Sequence, residues 1–327
     1  LNKDKITSYA QIYEVLKDEM KWKVPDKRIL MTITSLYVMN NKKLNPEQLL
    51  QLADKIKSRA SLFSSMRSYS RFTTAAMLYV NFENPQKEIS TLFSLYGQFK
   101  KAKFKSGVYT YIAASILLTN KDKELQSDQI IAKAKDIYEG MKSEHIFLTG
   151  TSDYPLAALL AFEEQSDIIQ HIEKFYDELA KNGFRKGNDL QFLSHILSLS
   201  KEANVQDLIS RSIRVSDDFK AYGMKPKSKY YPVIGMLALL PQKDVNMNEI
   251  SAMYEQLNEE KHFKWQKDLN VTMAVSFYVN EKSEHSGLAD ASIRTTLEMI
   301  LQAQQAVMIS TIAATTAAAN SNNGGGN

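Results

Sequence analysis

Large apolar residues return along the chain at Trp22, Phe63, Phe104, Phe147, Phe184, Met224 and Phe263, at intervals of 41, 41, 43, 37, 40 and 39 residues. Eight or nine residues before most of them stands a second apolar position: Tyr13, Tyr96, Tyr138, Tyr176, Val215 or Tyr254. Eleven to thirteen residues after each comes a column of mostly small residues inside an apolar run: Ser35, Ala76, Ser115, Ala158, His195, Gly235 and Ala274. Three columns in register mark an internal repeat of about forty residues, the length of a helical hairpin.

Each copy reads the same way. After the landmark, a polar loop ends in a capping signal such as Ser68, Ser152-Asp153, Asn188-Asp189 or Asp268, whose side chain is expected to accept from the free N–H groups of a starting helix. Pro155 and Pro232 stand where a first helical turn tolerates a missing N–H. The helix that follows is apolar around most of its circumference ("PLAALLAF", "PVIGMLALLP", "TTAAMLYV"), which predicts burial on several sides. A break leads to a second helix with a single apolar stripe. The clearest has Ile168, Ile169, Ile172, Phe175, Tyr176 and Leu179 on one side and Gly183 closing its end. A hairpin of this kind leaves apolar surface uncovered on both flanks, so stacking is obligatory. The expected fold is therefore all-α: about seven tandem hairpins over 1–285, forming a curved α–α superhelix or a closed ring.

The end of the chain departs from this rhythm. Nothing after Glu298 is charged, and Met299 to Ala319 is long enough to span a bilayer. Gln302, Gln304, Gln305 and several threonines lower its hydrophobicity, and neither end carries a basic or aromatic anchor. No membrane span is expected. Residues 286–320 read instead as a long helix docked on the array, and 321–327 as a flexible end.

"LFSSMRSYSRF", "YEGMKSEHIFLTGTSDYPLAALLA", "GFRKGNDLQFLSHILSLS" and the alanine-rich, glutamine-bearing end resemble a family of Gram-positive bacterial proteins catalogued as domain of unknown function 4003. The resemblance runs from about Tyr13 to Ala319. It implies a cytoplasmic bacterial setting and brings no activity, cofactor or catalytic residue.

Composition adds limits. The chain has 327 residues, 44% hydrophobic and 24% charged, with 7 Pro and 12 Gly, which suits a folded helical protein. With no Cys there is no disulfide, thiolate zinc site or cysteine nucleophile, and a reducing compartment fits. No basic-then-apolar secretory leader is visible. The net charge of +4 hides an asymmetry: residues 1–110 hold 19 Lys and Arg against 9 Asp and Glu, the remainder 22 against 28. A basic first third could meet an acidic partner.

Candidate chemistry gathers in the loops before the buried helices, which the repeat places on one edge. There lie Arg67, Lys105, Thr149, Asp153, Tyr154, Arg185, Lys186, Asn188 and Trp265, with Gln191 and His195 just inside the helix of the fifth copy. The residue after the landmark is basic in five of seven copies: Lys23, Lys105, Arg185, Lys225 and Lys264. Helix N-termini with free N–H groups could hold an anion there; equally, these cations could neutralise the end of the preceding helix. "LTGTSDYP" and "RKGND" match no phosphate-loop signature. Asp153 and Asp189 stand 36 residues apart, equivalent in successive copies, and could face each other as paired carboxylates. Each also has a complete explanation as a helix cap. His195, alone in a column of Ser, Ala and Gly, must hydrogen-bond to a neighbouring copy or line an inner cavity. The remaining histidines (His145, His171, His262 and His285) make no HExxH or HxxxH motif, so neither a metal nor a cofactor is expected.

The reading is a non-catalytic helical-repeat scaffold for a protein or peptide. One alternative is an enzyme or small-anion binder at the loops, with Asp153, Asp189 and His195 as its groups. Another is a nucleic-acid binder through the basic first third, where "MRSYSRF" mixes cations with Tyr69 and Phe72.

Overall fold

The computed structural model describes residues 2–120, 126–163, 167–200, 204–284, 296–298, 300–301 and 303–304, and every α or 3-10 element among them is a helix, with no strand. The α-helices run α1 (Asn2–Met20), α2 (Lys27–Met39), α3 (Pro46–Arg59), α4 (Ser70–Asn81), α5 (Pro85–Lys101), α6 (Val108–Thr119) and α7 (Ser127–Glu144). They continue as α8 (Tyr154–Leu160), α9 (Ile168–Lys181), α10 (Asn188–Ser198), α11 (Val205–Ala221), α12 (Tyr231–Leu239), α13 (Met247–Glu259) and α14 (Lys267–Glu284). Every landmark falls in the turn between an odd-numbered helix and the even-numbered helix after it, so the forty-residue rhythm is the rhythm of these helices.

Among the described residues the chain divides into two compact units, residues 3–128 with 303–304, and residues 129–301. In the first, α4 packs on α3, α2 and α5, α5 packs on α6, and α3 also touches α5. In the second, α10 packs on α9, α12 and α8, and α12 packs on α11 and α14. There α13 also packs on α14, and α9 on α11.

Patterning explains which helix is buried how deeply. All residues of α2 from Ile29 to Met39 are buried, as are all of α8 and all of α12 except Pro232. By contrast α9 buries only Ile168, Ile172, Phe175, Tyr176 and Leu179, the predicted stripe less Ile169. All seven small-column positions are buried. Gly235 shows why one of them is glycine: a Cβ there would lie 2.8 Å from Leu193 Cδ1 and 2.9 Å from Ile196 Cγ2, so the α12 backbone presses directly on α10.

The capping expectation needs correction. Asparagines cap three of the odd-numbered helices, α3, α11 and α13: Asn45 Oδ1 accepts from Gln48 N at 3.0 Å, Asn204 Oδ1 from Gln206 N at 2.9 Å, and Asn246 Oδ1 from Asn248 N at 3.1 Å. Among even-numbered helices α2 is capped by Asp26, which accepts from Arg28 N at 2.9 Å. Ser68, Asp153 and Asn188 do not cap the α-helices they precede or begin. Instead 3-10 turns at Thr151–Asp153 and Ser228–Tyr230 lead straight into α8 and α12, continuing the chain of backbone bonds that a cap would otherwise supply, and one at Ser65–Arg67 precedes α4 by two residues. Glycine in an extended, positive-φ conformation stands before α6 and α10 (Gly107, φ 155°; Gly187, φ 146°). Lead-in type thus alternates from one hairpin to the next over α4 to α12.

Most of the C-terminal segment 286–320, all of 321–327 and His285 lie outside the described residues. Within that segment Leu297, Ile300, Leu301 and Ala303 are helical and buried. No helix among the described residues is long and apolar enough to cross a membrane.

Candidate functional site

Six of the turns from odd- to even-numbered helices, 21–26, 60–64, 102–107, 145–150, 182–187 and 222–227, close the helices in two ways, while the seventh, 260–266, buries Phe263 without a left-handed residue. After α5, α9 and α11 a residue in the left-handed region (Lys103, φ 65°; Gly183, φ 90°; Gly223, φ 76°) reverses the chain. The next residue then donates back across the turn: Phe104 N to Phe99 O at 3.1 Å, Phe184 N to Leu179 O at 3.1 Å, and Met224 N to Phe219 O at 2.9 Å. This is the Schellman closure, and it buries the landmark against the last turn of its own helix; the Phe99 and Phe104 rings meet edge-on at 4.9 Å. In the turns after α1, α3 and α7 the landmark is not buried. Trp22 is 91% exposed, Phe63 101% and Phe147 98%, while Val24, Met66 and Thr149 are buried a few residues later.

Hydrogen bonds tie successive turns together. In the second unit Gln191 Nε2 donates to Thr149 Oγ1 at 2.9 Å, joining the turn before α8 to α10. Ser228 Oγ donates to Asp189 at 2.6 Å, and Arg185 N to the Tyr231 hydroxyl at 2.8 Å. Asp268, at the start of α14, accepts from Lys227 Nζ at 2.7 Å and from Lys229 Nζ and the Tyr230 hydroxyl. In the first unit Ser64 Oγ lies 3.3 Å from the Tyr111 hydroxyl. The three donors hold the Asp268 carboxyl well below its ordinary pKa against the opposing effect of burial.

The expected site residues lie in, beside or beneath these turns. Lys105, Arg185, Lys186, Asn188 and Trp265 are exposed, and Arg67 is half-buried in its 3-10 turn. Tyr154 is buried edge-on against Tyr138 at 4.8 Å, a packing role. Thr149, Gln191 and His195 are buried, and Gln191 meets Thr149, whose Oγ1 also donates to Met141 O at 3.1 Å. The two aspartates have separate partners: Asp153 Oδ2 accepts from Gly150 N at 2.8 Å, while Asp189 is held by Ser228. Burial pushes the Asp153 carboxyl up to about 6, opposed by the Gly150 bond, with no second carboxylate among the causes. His195 is fully buried but tied to nothing: neither ring nitrogen has a hydrogen-bond partner. Burial, reinforced by the charge of His145, pushes its pKa down to about 3.

A pair missing from the expected site is His145–Glu173. His145 Nε2 lies 2.9 Å from Glu173 Oε2, half-buried, with its ring 4.5 Å from that of Tyr176. The partners stand 28 residues apart, His145 in the turn after α7 and Glu173 on α9, and only the tertiary packing reveals them. A cleft of about 280 Å³ lined by Phe184, Ser216, Asp217, Lys220, Pro226 and Tyr231, among others, contains none of the expected site residues. No cluster of potential metal ligands occurs among the described residues.

The turns stand out by composition. The seven of them carry ten Lys and Arg against two acids, Asp26 and Glu260, in a chain with 41 against 37. Of the eight exposed large hydrophobic residues described, seven lie in these turns: Trp22, Leu62, Phe63, Ile146, Phe147, Tyr222 and Trp265.

The described residues define an all-helical protein with an excess of cations and most of its exposed large hydrophobic side chains in the turns from odd- to even-numbered helices. The chain belongs to the family described as "Protein of unknown function (DUF4003)", which matches residues 12–306. It is similar to "Uncharacterized protein YeaA" of Bacillus subtilis (strain 168), with 34% identity over 311 residues, 94% of each chain. No solved structure matches.

Proposed function

We propose that the protein is a non-catalytic helical-repeat scaffold, a tandem array of hairpins in a curved α–α superhelix or closed ring. It holds a protein or peptide along the face formed by the even-numbered helices and the turns before them. The observation that carries this reading is the packing order within each unit. Even-numbered helices meet even-numbered ones (α2 with α4, α10 with α12, α12 with α14) and odd meet odd (α3 with α5, α9 with α11). Side-by-side stacking of hairpins produces that order. A cytoplasmic location belongs to the same reading and rests on the family resemblance.

The even-numbered helices expose few side chains, so the resting chain offers a partner the turns first. We read residues 286–320 as a helix covering the deeper face, and 321–327 as a free end. The burial of Leu297, Ile300 and Leu301 supports this. Peptides selected by display against a chain ending at Glu298 test it by fluorescence anisotropy. They should bind the shortened chain roughly tenfold or more tighter than the full chain, because an occupied face reduces apparent affinity by its open fraction. Equal affinities with unchanged circular dichroism would overturn the covering role, and failure to select any peptide with either chain would overturn the scaffold.

The cation excess in the turns favours nucleic acid as a second reading. It predicts a gel shift whose affinity falls steeply with salt; a salt-independent shift removes it. Catalysis draws less support, since Asp153 and Asp189 have separate partners and the His195 ring is sealed.

A further inference from the structure

We infer that the turn edge is a docking surface for an anionic lipid bilayer, each unit inserting its exposed turn residues among the headgroups while neighbouring lysines and arginines pair with lipid phosphates. Three observations converge. The rings of Phe63 and Phe147 are fully exposed on short turns between packed helices, and Trp22 and Trp265 nearly so. Leu62 and Ile146 extend two of these tips as exposed aliphatic neighbours. Cations predominate in the turns as a whole, ten Lys and Arg against Asp26 and Glu260: Lys21 and Lys23 flank Trp22, with Lys21 Nζ 3.9 Å from Asp18, and Lys264 Nζ sits over the Trp265 ring, 5.3 Å from its centroid.

Burial elsewhere in the chain makes this placement informative. Phe104, Phe184, Met224 and Phe263 occupy the same turns and are buried, so the fold can hide a landmark when the turn closes over it. At Trp22, Phe63 and Phe147 the landmark stays outside while another residue fills the core. A protein partner would have to supply a separate pocket for each widely exposed ring. A bilayer interface takes the rings of each unit without a dedicated pocket, because it is fluid, apolar a few ångströms below its surface, and favourable to Trp and to cations. The cations supply attraction to anionic headgroups at roughly 1 kcal/mol each, about a fivefold gain in partitioning per residue. In the second unit the hydrogen bonds between successive turns hold this edge together.

The chain contains two tryptophans, and both lie on the edge, one in each unit, which makes their fluorescence a direct report. The full chain is titrated with phosphatidylcholine vesicles with and without about a third phosphatidylglycerol. The expected result is a blue shift of emission, quenching by brominated acyl chains, and co-sedimentation with anionic vesicles only, reversed by high salt. Trp22→Phe and Trp265→Phe leave one reporter each, so each unit is read separately. Leu62→Ser with Phe63→Ser, or Ile146→Ser with Phe147→Ser, alters side chains with almost no contacts within the protein. Either pair should weaken partitioning roughly tenfold or more, from the lost apolar burial, with the helical signal unchanged. Three outcomes overturn the inference. The first is no shift with anionic vesicles at low salt. The second is a lipid-free blue shift that grows with protein concentration, which assigns the tips to a second copy of the chain. The third is a shift with single-stranded oligonucleotide but not with vesicles, which assigns the edge to nucleic acid.

Discussion

Lowering the pH should strike the second unit through one side chain, His195. The ring is fully buried without a hydrogen-bond partner, and its pKa is pushed down from 6.5 to about 3. In the unfolded chain it titrates near its ordinary value. Because the folded-state pKa lies below the unfolded one, the contribution is flat above pH 6.5. Stability falls as pH drops below that, since the unfolded chain takes up a proton that the folded chain refuses. Between pH 7 and pH 5 this costs about 2 kcal/mol, and the full shift of about 3.5 units would cost about 5 kcal/mol near pH 3. His195→Leu has similar volume, removes the titration, and leaves no imidazole nitrogen unpaired. The variant should be at least as stable at pH 7, by about 1–3 kcal/mol if the unpaired ring carries its usual burial cost. Its advantage should grow by about a further 2 kcal/mol at pH 5. Urea denaturation of both proteins at the two pH values, followed by circular dichroism, gives the difference directly, because the other titrating groups are shared. An advantage that is the same at both pH values would refute the reasoning, as would an imidazole proton resonance for His195 that titrates near 6.5.

Asp153 runs in the opposite sense: its folded pKa is raised from 3.8 to about 6, so the buried carboxylate destabilises above pH 6 and the penalty disappears as pH falls towards 4. Asp153→Asn keeps an oxygen for the Gly150 N–H and should raise the stability measured by urea titration at pH 7.5 by about 1–3 kcal/mol, with no gain at pH 4. Lys103 holds a left-handed conformation at φ 65°, where glycine costs nothing sterically, so Lys103→Gly should stabilise the first unit by about 0.5–1 kcal/mol in a thermal melt. Gly235→Ala sets a methyl within 3 Å of Leu193 and Ile196 and should cost about 1–3 kcal/mol in the same assay, with the largest loss of hydrogen-exchange protection in α10 and α12.

Periodicity made the helices legible because burial on one side or on all sides leaves different apolar spacings: α9 announces its stripe, and α2 and α12 their wholly buried runs. The fate of each landmark was less legible. Phe184 and Met224 follow glycines that can enter the left-handed region, which is a readable sign of a closure that buries the next residue. Lys103 makes the same closure without that sign, and nothing local distinguishes the buried Phe263 from the exposed Phe63. Caps were misassigned for a related reason. Ser68 and Asp189 have the composition of N-caps, but a 3-10 turn precedes Ser68, and Asp189 is taken by Ser228 in the next turn, a partner 39 residues away. His145 and Glu173 met only once α7 and α9 were folded.

The bonds that join one turn to the next in the second unit bridge between 38 and 46 residues, each reaching about one hairpin along the chain. A nascent chain can therefore lock each hairpin onto its predecessor as it emerges, without waiting for a distant segment. Loss of a single clasp, such as the one at Asp268, should loosen the hairpin it secures and leave the earlier ones standing.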